Sequence, residues 1–281
     1  MAGSGADPPG HGPLGIIAGG GGLPRRLIES CRASGRDVFV LALKGAADPE
    51  TVDGVPHAWC RMGAASTGLG LLRDNGVADL VLAGSVRRPT LSAIRPDWRA
   101  AKFFAKIGYR LLGDDGLLSA IVKELEIEGF RLLGAHELLG NAGVPEGPLG
   151  RCTPSADAAA DISRGIDIAR TLGGLDVGQG VVVQQGLVLG VEAIEGTDAL
   201  IKRCAGLRRP GPGGVLVKLA KPGQETRVDR PTIGRQTVAL AVEAGLQGIA
   251  VEAGATLLLE RDEVIRTADT AGLFVIGVRV G

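Results

Sequence analysis

Leu14-Gly15-Ile16-Ile17-Ala18 is a short apolar run that stops at four consecutive glycines, Gly19 to Gly22, and the chain restarts as a helix at Leu23-Pro24-Arg25-Arg26. A run this short and this apolar fits a strand buried on both faces. Pro24 suits a first helical turn, where its missing N–H is not needed. Asp37 to Leu43 repeats the strand pattern, and Asp79 to Ala83 repeats it before Gly84-Ser85-Val86. Between those two strands a helix ends at Asn75-Gly76, glycine being the usual stop. Strand, helix and strand in this rhythm specify a parallel sheet with right-handed crossovers, and so an α/β fold.

The pattern runs through two helices, Trp98 to Tyr109 and Gly116 to Glu128, and changes at the Gly/Pro-rich stretch from Asn141 to Pro154. Beyond it, Ser155 caps a helix over Ala156 to Leu172. Strands follow at Gly180–Gln184, Leu187–Ala193, Val215–Ala220, Gly248–Ala253 and Phe274–Val278, with a helix over Gly234–Ala244 before the last two. The expected organisation is a lead-in over 1–12, a Rossmann-like parallel-sheet domain over 13–142, a Gly/Pro-rich linker over 143–154 suited to hinging, and a second α/β domain over 155–281. At 281 residues and 45% hydrophobic content the chain can fill two such cores.

Charge removes several function classes. Thirty-one basic and 31 acidic residues cancel, and aromatic residues make up only 3%. No nucleic-acid partner is expected, because neither a basic field nor base-stacking surfaces are present. Cys31, Cys60, Cys152 and Cys204 lack CxxC spacing, so they read as idle thiols in a reducing compartment. No stretch reaches the roughly 18 apolar residues of a spanning helix, and the first twelve lack a signal peptide's basic start and apolar core. A cytoplasmic protein is expected.

The glycine run lies where a strand meets a helix, a place where backbone N–H groups and the helix dipole favour phosphate. It matches neither GxxxxGK[ST] nor GxGxxG, so a tight turn needing small residues stays open as the alternative. Gly84-Ser85-Val86-Arg87-Arg88 ends another strand at the same carboxyl edge, where open α/β sheets bind ligands. Lys102, Lys106 and Arg110 recur at helical spacing, as a solvated face or as a contact for phosphate or an anionic membrane. Asp114-Asp115 reads as a helix cap or a metal pair.

Chemistry concentrates between residues 191 and 234. Val191-Glu192-Ala193-Ile194-Glu195-Gly196-Thr197-Asp198 and Lys221-Pro222-Gly223-Gln224-Glu225-Thr226-Arg227-Val228-Asp229 hold five carboxylates, Glu192, Glu195, Asp198, Glu225 and Asp229, with Lys221 and Arg227 beside them. Such oxygen ligands beside cations suit a divalent metal gripping a phosphate. Thr197 or Asp198 could instead cap the helix that follows. Glu225, Arg227 and Asp229 would share one face if that segment is extended, as a site or as a surface ion-pair ladder. His57 and His136 have no nucleophile beside them, which weakens covalent catalysis.

Four blocks in this order, Ile16 to Pro24, Leu112-Gly113-Asp114-Asp115, Val191 to Asp198 and Lys221-Pro222-Gly223-Gln224, carry a resemblance. The chain resembles the LpxI family of UDP-2,3-diacylglucosamine pyrophosphatases of lipid A biosynthesis, over nearly everything from Leu14 to Val278. The resemblance implies a two-domain, magnesium-dependent enzyme, commonly a homodimer, peripheral at the inner membrane. It implies cleavage of UDP-2,3-diacylglucosamine to lipid X and UMP, with water attacking the sugar-linked phosphorus. Where the family pattern has Asp directly after Lys-Pro-Gly-Gln, this chain has Glu225, one methylene longer. The candidate catalytic set is then Lys221, Glu225, Arg227 and Asp229, and the candidate Mg²⁺ ligands are Glu192, Asp198, Glu225 and Asp229. Candidate substrate contacts are Gly19, Gly20, Gly21, Gly22, Leu23, Gly84, Ser85, Val86, Lys102, Gln185, Glu195, Gly196, Thr197, Lys218 and Gln224.

Overall fold

The computed structural model describes residues 12–86, 94–108, 113–140 and 142–280. The chain divides into two compact units, 1–140 with 225–229, and 141–224 with 230–281. Both are α/β.

In the first unit five strands, β1 (Leu14–Ala18), β2 (Val38–Lys44), β3 (His57–Arg61), β4 (Asp79–Ala83) and β5 (Arg131–Leu132), lie in the order β3-β2-β1-β4-β5. Every pairing is parallel. The central strands are apolar and buried along almost their whole length, as a sheet covered on both faces requires. The helices are α1 (Gly22–Ala33), α2 (Ala65–Asp74), α3 (Trp98–Ile107), α4 (Asp114–Ile127) and the single turn α5 (Ala135–Leu138). Glycine Gly113, and neither aspartate, stands at the α4 N-cap; the Asp114 side chain, like Arg87, Arg88, Arg110 and Leu112, lies outside the described residues. Buried Asp79 opens β4 at the amino edge and binds Arg131 through two bonds of 2.7 Å, with Arg36 on the same carboxylate.

Among the described residues, the main sheet of the second unit has six strands, β6 (Gly147–Pro148), β7 (Gly180–Gln184), β8 (Leu187–Val191), β9 (Val215–Lys218), β11 (Gly248–Glu252) and β13 (Phe274–Val278), in the order β6-β13-β11-β9-β7-β8. A two-stranded pair, β10 (Thr232–Ile233) with β12 (Leu257–Leu258), lies apart. Successive residues of the central strands feed opposite faces. Val181, Val183, Val215 and Val217 pack with α6 (Ala156–Gly174), whereas Val182, Leu216, Ile249 and Val251 pack with α7 (Thr197–Ala205), α8 (Arg235–Glu243) and α9 (Arg261–Ala271). On α6 the buried residues Ala158, Ile162, Gly165 and Ala169 form one stripe at spacings of four, three and four. Ser155 caps it, accepting from Ala158 N at 3.2 Å.

The stretch 143–154, expected to be a free linker, is built into this unit. Gly147–Pro148 pairs antiparallel with β13, and Val144 and Leu149 are buried in the core. Pro148 is admissible because β6 is an edge strand. No described helix is long and apolar enough to cross a membrane.

Candidate functional site

In the first unit the two glycine turns meet at the carboxyl edge of the sheet. Gly20 and Ser85 exchange backbone hydrogen bonds at 2.9 Å, and Gly19 N donates to Ala83 O at 2.8 Å. A β-carbon on Gly19 would lie 2.5 Å from Ser85 O. Gly84 has φ of +90°, and a β-carbon there would lie 2.6 Å from Gly20 O. Close backbone approach therefore demands glycine at both places. Gly21 and Gly22 open α1, with Leu23 in its first turn. Gly21 N donates to Asp48 Oδ2 at 2.8 Å. Asp48 was not legible as a site residue: it lies in the loop after β2, and no motif marks it. Its carboxylate occupies an N–H that a phosphate oxygen would otherwise take. Ser85 and Val86 follow β4 on the same edge, both exposed, and Lys102 is exposed on α3.

The carboxyl edge of the second sheet is built from side chains. Lys218 ends β9, Glu192 follows β8 and Thr197 opens α7. Lys218 Nζ donates to Thr197 Oγ1 at 2.9 Å and to Thr232 O at 3.3 Å, and Thr197 Oγ1 donates to Glu192 Oε1 at 3.1 Å. Lys218 and Glu192 are both buried. Two atoms in this arrangement stand out. Glu192 Oε2 is buried with no hydrogen-bond partner, and the Lys218 ammonium is buried with neutral acceptors only and no carboxylate within ion-pair distance among the described residues. Buried charge without a counter-charge is costly, and an anionic ligand beside Lys218 would remove that cost.

Neighbouring residues hold this edge in shape. Glu195 binds Arg203 at 2.9 Å and accepts from Ala193 N at 3.2 Å, and the guanidinium keeps its carboxyl below the ordinary range. Gly196, and neither Thr197 nor Asp198, occupies the α7 N-cap; Asp198 accepts from Gln236 Nε2 at 2.9 Å instead. Glu252, at the end of β11, orients Ala220 N at 2.9 Å. A strand-end rule could have found Glu252, whereas Gln236 carries no sequence signal. Gln185 does not join the group. β7 runs antiparallel to β9, so Gly180 faces Lys218 while Gln185 lies past the other end of the strand. There its amide binds Pro210 O and Arg209, closing the β7–β8 hairpin.

The segment after β9 departs from the expected geometry. Residues 225–229 form a turn, not an extended strand: Val228 N and Asp229 N both donate to Glu225 O, at 3.1 and 3.0 Å. Alternation therefore fails, and Arg227 folds back onto Glu225. The guanidinium binds the carboxylate through Nε–Oε1 and Nη2–Oε2, each 2.9 Å, and reaches Glu126 Oε1 on α4 at 2.6 Å. The bonds from Arg227 hold the Glu225 carboxyl below its ordinary range and raise the Arg227 pKa in turn. A carboxylate so stabilised is a poor proton acceptor at neutral pH. Asp229 differs: it is half-buried, and its side chain makes no hydrogen bond or ion pair with any described residue. In the second unit, Lys221 Nζ binds Asp176 at 2.7 Å, and Gln224 accepts from Lys221 N at 3.1 Å. Gln224 Nε2 is buried without a partner.

Among the described residues no three Asp, Glu, His or Cys side chains gather into a ready metal cage. Glu192 and Asp198 belong to the second unit, Glu225 and Asp229 to the first. The open donors are Glu192 Oε2 and the Asp229 carboxylate. Mg²⁺ keeps several waters and takes one or two carboxylates together with substrate phosphates. Within the second unit, one open carboxylate oxygen on Glu192 fits that ion and does not fit an all-protein calcium or zinc site.

Comparison with known proteins gives the same division into two domains. The family model described as the LpxI N-terminal domain matches residues 13–142, and the LpxI C-terminal domain matches residues 145–276. The UDP-2,3-diacylglucosamine pyrophosphatase LpxI of Caulobacter vibrioides is 46% identical over 272 residues, covering 94% of this chain and 97% of that protein.

Proposed function

Because this chain belongs to the LpxI family, we propose that it hydrolyses the diphosphate of UDP-2,3-diacylglucosamine, giving 2,3-diacylglucosamine 1-phosphate (lipid X) and UMP in lipid A biosynthesis. The observation that carries the reading is the 46% identity over 94% of the chain. The unpartnered polar atoms of Glu192, Gln224 and Asp229, and the Lys218 ammonium with neutral acceptors only, support it as places kept for a ligand.

The roles divide by chemistry. The close-packed turns Gly19 to Gly22 and Gly84 to Val86 hold the uridine nucleotide by their shape, as small-residue turns at a sheet's carboxyl edge do; the N–H groups of Gly19, Gly20, Gly21 and Ser85 are already bonded within the protein. Lys218 receives the sugar-linked phosphate, with Thr197 fixing its ammonium. Gln224 Nε2 donates to the same ligand. Asp229 takes the proton from the attacking water, since its carboxylate is not held by a cation. Glu225 is a positioning residue that sets the Arg227 guanidinium. Lys221, tied to Asp176, fixes the start of the loop. Mg²⁺, which Glu192 would hold together with substrate oxygens, would supply charge neutralisation on the diphosphate. The enzyme acts as a homodimer, peripheral to the inner membrane.

Incubation of the purified chain with UDP-2,3-diacylglucosamine and Mg²⁺ tests this. Release of UMP and the acylated sugar phosphate is expected, and a chelator should stop it. Intact substrate after prolonged incubation would overturn the assignment.

A further inference from the structure

The helix α3 presents a face that the hydrolytic site does not use. Among its ten residues only Ala100 is buried, although seven of the ten in Trp98-Arg99-Ala100-Ala101-Lys102-Phe103-Phe104-Ala105-Lys106-Ile107 are apolar. Trp98, Ala101, Lys102, Ala105 and Lys106 are all exposed and stand at positions i, i+3, i+4, i+7 and i+8, on one side of the helix. Trp98 is 68% exposed. In a chain with two tryptophans, leaving one in water forgoes the largest apolar burial any side chain offers. Phe103 and Phe104, half-buried with ring centroids 5.5 Å apart, back this face.

Charge on the face has one sign. Its charged members are Lys102 and Lys106, and Arg99 lies beside Trp98 with its guanidinium 5.6 Å from the ring centroid. The acids packed nearby are engaged. Asp97 caps α3 and accepts from Ala100 N and Ser66 N, Glu128 pairs with Arg73 and Arg99, and Glu124 lies 3.6 Å from Lys106. Ile127, next to Glu128, adds a second large apolar side chain at 70% exposure. Tryptophan with lysines on one exposed helical face is the composition that settles at a lipid–water boundary, rings at headgroup depth and ammonium groups on anionic headgroups.

The position is suitable. Asp97 N donates to Gly63 O at 2.9 Å, and Gly63 lies two residues past the end of β3, so α3 starts at the carboxyl edge that carries the glycine turns. We propose that α3 is the membrane-docking element of this protein, with Trp98 inserted at the interface of an anionic bilayer and Arg99, Lys102 and Lys106 on its headgroups. The inference deepens the peripheral-membrane reading of the proposed function by naming the surface.

Trp98 reports on the proposal directly. With Trp59→Phe it becomes the sole tryptophan of the full-length protein. Vesicles of phosphatidylcholine with about one-third phosphatidylglycerol should shift its emission to the blue and co-sediment the protein, whereas pure phosphatidylcholine should do neither. Raising salt should release it. Lys106→Gln should weaken partitioning about fivefold, the amount expected for one cation at an anionic surface, and Trp98→Ser should weaken it further with unchanged circular dichroism. No blue shift, or co-sedimentation unaltered by Lys106→Gln and Trp98→Ser, would overturn the assignment. Vesicle binding is read without substrate, so its failure is distinguishable from a failure of hydrolysis.

Discussion

The two carboxyl edges of this molecule solve their tasks in different materials. In the first unit the turns after β1 and β4 are made of backbone: Gly20 and Ser85 exchange hydrogen bonds, Gly19 donates to Ala83, and Asp48 takes the Gly21 N–H. In the second unit the edge is made of side chains, and there the satisfaction is incomplete. Glu192 Oε2 and Gln224 Nε2 are buried and unpartnered, and Lys218 is a buried cation with neutral neighbours. Backbone turns satisfy their own polar groups. Buried side chains left without partners carry a desolvation cost that those turns avoid.

The largest expected effect is at Asp229, a side chain that the 225–229 turn adds to the first unit. Asp229→Ala should lower kcat about 1000-fold or more, within the range for loss of a positioned general base, while the melting temperature stays near that of the parent. Parental turnover in steady-state assays would remove Asp229 from the mechanism. Asp79→Asn probes the first unit's frame and should leave chemistry alone. Removing a buried carboxylate from two arginines should cost about 2–3 kcal/mol in urea unfolding at neutral pH. The arginines hold the Asp79 pKa below its ordinary value. Its contribution is therefore full above the ordinary carboxylate range and fades as pH falls through the lowered folded-state value, so the deficit should shrink in acid. An equal deficit at every pH would contradict the ion-pair account.

Gly84→Ala is a smaller perturbation of the backbone edge. A β-carbon there meets Gly20 O, and its φ of +90° is strained for alanine. We expect about 1–3 kcal/mol of strain, read as weaker UMP binding in calorimetry with kcat at saturating substrate nearly kept. A fall in kcat with unchanged UMP affinity would move the chemistry to the glycine turns. Glu225→Asp is the finest test. Shortening the side chain loosens the two-point grip on Arg227 and matches the family's residue, so turnover should rise several-fold. Slower turnover would mean that the Glu225–Arg227 pair is already optimal in this chain.

Much of the first unit was legible because its signals are local. Apolar runs ending in glycine mark strand ends, and parallel topology follows from the strand–helix rhythm. β3 escaped, since His57-Ala58-Trp59-Cys60-Arg61 mixes exposed and buried positions at a sheet edge. The Gly/Pro-rich 143–154 stretch misled for a related reason: β6 pairs two residues with a strand that lies more than a hundred positions later, and no local pattern carries that. At the site, strand-end residues such as Glu192 and Thr197 could be picked out from sequence. What they do with one another could not. The Lys218–Thr197–Glu192 chain joins residues from β9, α7 and the end of β8, and the turn over 225–229 converts an expected row of alternating charges into one clamped pair and one free carboxylate.

Amide hydrogen exchange of the full-length protein tests the division of labour most directly, with UMP and 2,3-diacylglucosamine 1-phosphate added separately. UMP should slow exchange at Gly19 to Leu23 and Gly84 to Val86 and leave 192–199 and 218–224 unchanged. The acylated sugar phosphate should slow exchange in 192–199 and 218–224 instead. Protection of the second set by UMP, with the glycine turns unaffected, would contradict the account.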